Sequence, residues 1–554
     1  MPQTQQPDVA PLLPLDRRAL LKGGLLGAGI AAAGASQAAE FSTGGFTSGV
    51  ASGEPGADRV LLWTRYVAPA QASLRWELSE SLSFDRPVAG GTVIASPDRD
   101  FCCKPVATGL SPARWYYFRF IAPDGTISDI GRTKTLPQGP TDKFRMAVFS
   151  CANIGFGWFD AYAHAAEADA FDCTFHLGDY FYEYGPGTYP SADEVMPGRL
   201  VQPPHEIVAL ADYRARYAQY RRDPDLRRLH QLYPMIAVWD DHESANDSWE
   251  GGAQNHQPDT EGPWAARKAA AARAYREWMP VSDEDWASYE IGDLATLFRL
   301  ETRLTARSEQ FDITEILTGK DTPEAAMSAL EAFKNGAWRD EKRTMIGLDQ
   351  QQWLDAGMKA SRGAGKVWQV LVQQVLMGSL STPADLVSQA GDVPPYIKQR
   401  LLAGAMASKA GLPMNMDSWD GYPAARTRLL QGAQAADANL IVLTGDTHNA
   451  WGFDLVEGGS SAGVEFAVQG VTSPGFESFL PGIAPRRMAA ALRERNPALK
   501  FAETARRGYM AVELTPTRAT CEWRFLNNVR QRGAGMAGTH TAATFPGRRM
   551  LADA

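Results

Sequence analysis

The chain has 554 residues, 44% of them hydrophobic and 21% charged, a composition that excludes both a disordered protein and a multi-span membrane protein. At this length one hydrophobic core stops growing, so two or more units are expected. A formal net charge of −9 repels polyanions and argues against a nucleic-acid-binding surface, while still permitting a local cation site that attracts a phosphate group.

Residues 1–39 read as a twin-arginine signal peptide. Arg17-Arg18 precede Ala19-Leu20-Leu21-Lys22 and a Gly/Ala-rich run from Gly23 to Ala35, and the small residues Ser36 and Ala38 suit signal-peptidase cleavage. The run falls short of the roughly 18 to 20 apolar residues that a membrane span needs. The expectation is export by the twin-arginine translocation machinery to a periplasmic or secreted location, with no stable membrane anchor.

Residues 45–137 carry short β-runs bounded by Gly, Pro and Asp: Val60 to Tyr66, Leu74 to Leu78, Trp115 to Ile121, and the turn Ala122-Pro123-Asp124-Gly125. This is the signature of a small β-sandwich. It holds no clustered His or acidic residues, so its expected role is to pack against the next domain. Pro137-Gln138-Gly139-Pro140 is the linker.

From 141 to 530 apolar strands alternate with longer helical stretches, which predicts a layered α/β domain with a largely buried sheet. Strands are expected at Phe144 to Ser150, Phe171 to Leu177, Met235 to Trp239, Val367 to Val375 and Asn439 to Thr444; helices at Asp212 to Tyr220 and Leu348 to Ala360. The Gly-, Arg- and Ala-rich tail, 531–554, is expected to be loosely structured.

Four of those strands end on metal-capable residues: Ser-Cys151, Gly-Asp179-Tyr-Phe-Tyr182, Asp240-Asp241-His242-Glu243, and Gly-Asp446-Thr-His448. Ligands of α/β sheets bind outside the carboxyl ends of strands, so the four segments should converge on one crevice. Singly they are weaker. Gly-Asp is a common turn dipeptide, an acidic run also suits a helix N-terminus, and His176 reads as a satisfied core histidine.

Five cysteines are an odd number for an exported protein, and Cys151 is the one assigned to a metal. Export in the folded state would let its thiolate bind the ion before oxidising conditions are met. Cys102 and Cys103 are expected to be structural, and Cys173 to be a small buried hydrophobe. Cys, Tyr and His donors suit a transition metal, whereas carboxylates with Asn suit a hard cation. A Tyr ligand, with an unperturbed pKa of about 10, calls for a strong Lewis acid such as Fe(III). Two different metals bridged by one carboxylate follow, the second being Ca(II) or another divalent cation.

On several stretches the chain resembles the PhoD family of alkaline phosphatases and phosphodiesterases, within the metallophosphoesterases related to purple acid phosphatases. They are Phe46 to Pro55 with Leu61 to Arg65, His176 to Gly185, Asp223-Pro224-Asp225-Leu226, Trp239 to Trp249, Asp420-Gly421-Tyr422-Pro423, Leu443 to Trp451 and Thr472-Ser473-Pro474-Gly475. The resemblance implies an αββα metallophosphoesterase domain preceded by a fibronectin-III-like sandwich. It implies hydrolysis of phosphate monoesters, diesters or both by a metal-activated water or hydroxide, acting on small-molecule phosphate esters. It implies that Asp179 bridges the metals, that Cys151, Tyr182 and His448 hold iron, and that Asp446 belongs to the calcium-type ion.

Relatives place an Asn-His pair where Asp241-His242 stands here, so either Asp241 or Asn246 supplies the second-metal ligand, with Asn246 favoured and Asp241 in support. His242 becomes the acid for the leaving alkoxide or an orienting group for a neighbouring carboxylate. Arg303 is either a phosphate contact or a surface arginine. The competing readings are a catalytically inactive extracytoplasmic binding protein that retains the fold, and an oxidative role for a Tyr-ligated iron. An intact ligand set argues against the first, and the sequence reveals no reductant path for the second.

Overall fold

The computed structural model describes residues 44–391 and 393–553; the signal segment 1–39 lies outside them. The strands Cys173–Leu177, Pro234–Val238, Trp368–Val372 and Leu440–Thr444 are mostly apolar, and every residue in them is buried. That is the pattern of central parallel strands covered on both faces.

They fall in two sheets. In the first, of eleven strands, Phe144–Phe149, Cys173–Leu177 and Pro234–Val238 run parallel, and Gly508–Leu514 pairs antiparallel beside them. The second, of seven strands, has Ala295–Arg299, Trp368–Val372, Leu440–Thr444 and Ser460–Ala467 parallel at its centre. One apolar cluster joins the sheets face to face, with Phe175, Ile236 and Met510 from the first meeting Leu297, Val370 and Ile441 from the second. Helices cover the outer faces. Those at Leu210–Tyr220 and Trp264–Trp278 close a second core on the first sheet, and those at Gly347–Gly363 and Pro423–Ala435 close a third on the other.

The N-terminal region is sheet-rich, but its strands are shared. A four-stranded sheet runs Ala89–Ala95, Ala72–Ser79, Trp115–Ile121, Gly131–Lys134, with a small core around Leu74, Phe118 and Phe120. Gly45–Gly53 and Arg59–Val67 instead extend the eleven-stranded sheet, where Ser52 and Gly53 pair in parallel with Pro234 and Met235. A Cβ on Gly53 would overlap the backbone oxygens of Pro280 and Met235, so only glycine allows this approach. Trp63, wholly buried, donates its indole N–H to Glu277 O at 2.8 Å across the joint.

The tail corrects an expectation. Instead of being loose, residues 536–544 form the strand Met536–Thr544, paired over its length with Ala519–Leu526. Arg549 adds a bond to Ala438 O at 2.8 Å. The Gly and Ala content hid a strand that is set by its pairing with Ala519–Leu526, and only its last three residues are buried.

Candidate metal centre

The four expected strand ends meet at the carboxyl ends of the parallel strands, and a fifth, Ala295–Arg299, delivers Glu301 and Arg303 beside them. The chain turns sharply there. Cys151, Asp179, Asp446 and His448 have φ of 59°, 52°, 61° and 60°, in the left-handed region that costs a non-glycine residue about 1–3 kcal/mol. Two glycines allow the strand ends to touch. A Cβ on Gly178 would overlap Asp240, and one on Gly445 would overlap the Ser150 hydroxyl.

Three groups of side chains bring ligand atoms within 4.8 Å of one another: Cys151 with Asp179 and His448, Asp179 with Asp241 and His242, and Asp240 with Asp241 and Asp446. Asp179 belongs to the first two groups, so one carboxylate can serve two ions. The Tyr182 hydroxyl lies 3.0 Å from both Asp179 Oδ2 and His448 Nε2. Asp179 Oδ1, Asp240 Oδ2 and Asp241 Oδ1 are buried without a hydrogen-bond partner in the structure. Buried carboxylate oxygens left this way are costly unless a cation meets them, and the donor set fits metal ions.

The electrostatics agree. Burial, reinforced by neighbouring carboxylates, holds Asp179 and Asp446 well above the usual carboxylate range. Burial and then the Asp179 charge likewise raise the Cys151 thiol and the Tyr182 phenol, so both ionise only beside a strong cation. Burial pushes His448 down to about 3 and keeps it neutral. Its Nδ1 donates to Pro474 O at 2.8 Å, which fixes the tautomer that offers the Nε2 lone pair to a metal. Ser473 donates to the Tyr182 hydroxyl at 2.7 Å. The Thr472-Ser473-Pro474-Gly475 stretch therefore orients both His448 and Tyr182.

His242 stands in the second group with its Nδ1 2.6 Å from Glu183 Oε2. Burial opposes its charge, but Asp241, Glu183 and Asp179 outweigh that and hold it well above the normal histidine range. Glu243 links the strand ends by accepting the backbone N–H groups of Asp179, Tyr180 and Asp240 at 3.0, 2.6 and 2.7 Å.

Of the two candidates for the second ion, Asp241 stands in two of the ligand groups, whereas the Asn246 amide donates to Gln254 at 3.1 Å and its backbone N–H to Glu183 at 2.7 Å. Arg303 is not a surface residue: its Nη2 has no hydrogen-bond partner and lies 3.6 Å from Asp446. It is fully buried, with Nε 2.5 Å from Asp240 and Nη1 2.9 and 2.8 Å from the two oxygens of Asp417. Asp417 carried no sequence signal, since its partner is 114 residues away. Glu183 had one: it follows Asp179 by four residues at a strand end.

His176 is the core histidine expected, its Nε2 2.9 Å from the Tyr162 hydroxyl. All five cysteines are free and buried. Asp223 caps the helix Pro224–Leu232 and pairs with Arg199 at 2.7 Å, which anchors the loop 183–208 beside the site. Among the described residues no helix is long and apolar enough to cross a membrane.

This mixed α/β protein brings carboxylate, thiol, phenol and imidazole groups together at its strand ends, a donor set that can hold metal ions. The model of the PhoD-like phosphatase family matches residues 146–523, and that of the family's N-terminal domain matches residues 31–137. Alkaline phosphatase D of Bacillus subtilis (strain 168) is 32% identical over 534 residues, covering 92% of this chain and 82% of the relative. A solved structure of PhoD aligns with a TM-score of 0.74 at 28% identity, over 92% of each chain. The chain belongs to the PhoD-like phosphatase family, and it is a phosphoesterase.

Proposed function

We propose that this chain is an exported metal-dependent enzyme that cleaves phosphate monoesters, diesters or both, with Fe(III) held by Cys151, Asp179, Tyr182 and His448. Ca(II) or another divalent cation would be held by Asp179, Asp241 and Asp446. The observation that carries this reading is that Asp179 joins the first ligand group to the second, and Asp241 joins the second to the group that holds Asp446. When bound, such a pair of ions polarises a phosphoryl oxygen and lowers the pKa of a water.

The chain's own residues supply the rest. Nδ1 of His242 is tied to Glu183, so Nε2 is the atom that faces the site and delivers a proton to the departing alkoxide. Arg303 holds Asp240 and Asp417 in place and lies 3.6 Å from Asp446, setting the negative charge that the ions neutralise. Two facing sheets with helices outside support the metallophosphoesterase layering, and the N-terminal four-stranded sheet supports the fibronectin-III-like assignment. The Arg17-Arg18 segment supports twin-arginine export to the periplasm or medium.

Elemental mass spectrometry on the native protein, paired with phosphate release from nitrophenyl phosphate and its bis-nitrophenyl diester, tests this. Bound iron and release from either ester are expected. A protein lacking iron and inactive with iron and calcium supplied would overturn the reading.

A further inference from the structure

Above the buried ligands lie two tyrosines that no metal needs. Tyr189 stacks on His448, ring centroids 6.4 Å apart at 21°, and lies 5.4 Å from Tyr182. Tyr184 sits edge-on to His242 at 5.6 Å, and the two rings meet at 6.1 Å and 73°, like the sides of an L. Cys151, Asp179 and Tyr182 are at most 1% exposed, whereas Tyr184 and Tyr189 are partly open to solvent. They mark where the site meets water.

The loop that carries them is held rigid. Fully buried Arg216 gives its guanidinium to the carbonyls of Tyr182, Tyr184, Gln202 and Pro203. Asn153 donates to Tyr189 O at 3.2 Å, and Phe156 packs edge-on against the Tyr189 ring at 4.8 Å. Pro190 rests where a side chain on Gly155 would stand. A fixed aromatic surface binds without losing rotamer freedom.

We propose that Tyr184 and Tyr189 form a wall that receives the alcohol half of the ester and selects alcohols carrying a flat ring. This rests on the phosphoesterase reading of the same site. Phosphate is gripped by charge, which says nothing about the alcohol; discrimination between alcohols needs a surface beside the ligands, and these rings are that surface. An aryl or nucleobase ring stacks on one tyrosine and meets the other at its edge.

Adenosine 5′-phosphate and glycerol 3-phosphate leave as similar alkoxides and differ in the ring. With metal-loaded protein, kcat/KM should favour the adenosine ester. In Tyr184→Ala and Tyr189→Leu the ratio of the two should collapse about tenfold, the lower range of stacking on an aromatic, mainly through KM. Tyr184→Phe should keep it. Tyr184→Leu, which keeps volume without a π face, serves if the alanine protein fails to fold. A ratio unmoved in these variants, or absent in the wild type, overturns the wall alone. Release from neither ester by the wild type overturns the phosphoesterase reading beneath it.

Discussion

Nδ1 of His242 lies 2.6 Å from Oε2 of Glu183, and the second Glu183 oxygen accepts from the Asn246 backbone at 2.7 Å and from Asn255 at 2.8 Å. The carboxylate is wholly buried. It sets which histidine nitrogen faces the site and steadies the imidazolium. Glu183→Gln removes the charge and keeps the shape, so activity should fall about 10- to 100-fold. With less support for the cationic ring, the alkaline limb of the kcat profile should move to lower pH. An unmoved limb would show that His242 does not supply the proton.

Tyr182→Phe removes one hydroxyl bonded to Asp179, His448 and Ser473 and leaves the packing of its ring intact. The purified variant should lose any visible charge-transfer absorption while its far-ultraviolet circular dichroism stays that of the parent. Retained colour would exclude Tyr182 as an iron donor.

Arg303 and Asp417 form a buried pair, and removing one partner strands the other charge. Arg303→Ala should lower stability by about 3–5 kcal/mol, read by urea unfolding. The loss should come with weaker metal retention, because Asp240 loses its partner. A stable variant defective only in KM would favour the phosphate-contact role.

Gly178 has φ of 83° and faces Asp240 without room for a methyl group. Gly178→Ala should cost about 1–3 kcal/mol and shift Asp179 from its neighbours. Metal content should fall together with the melting temperature.

Burial holds His176 down to about 3, against about 6.5 in an unfolded chain. The folded state thus binds fewer protons between those values. Its contribution is complete above pH 6.5 and drains as pH falls toward 3, at about 1.4 kcal/mol per pH unit. His176→Phe should flatten the acid side of a stability–pH curve by one proton.

Much of this was legible locally. Cys151, Asp179, Asp446 and His448 each follow an apolar run within four residues, and a parallel strand that ends in ligands announces itself in sequence. Cys151 and Tyr182 are individually ordinary in sequence, and their ligand roles rest mainly on resemblance; the structure puts the Tyr182 hydroxyl beside Asp179 and His448. The tail strand and the sharing of the N-terminal strands were not legible, since sheet partners far along the chain decide both.

By itself, the sequence determined the class of the chain and the candidate ligands that its strands deliver, because hydrophobic runs and the residues at their ends are neighbours in the chain. Only the tertiary structure placed Asp241 among two groups of possible ligands, showed Arg303 to be a buried partner of Asp240 and Asp417, and paired His242 with Glu183. Those outcomes depend on which buried charges meet across separate strands. Electrostatic pairing in a water-poor interior is a property of distances, and a linear sequence does not carry distances.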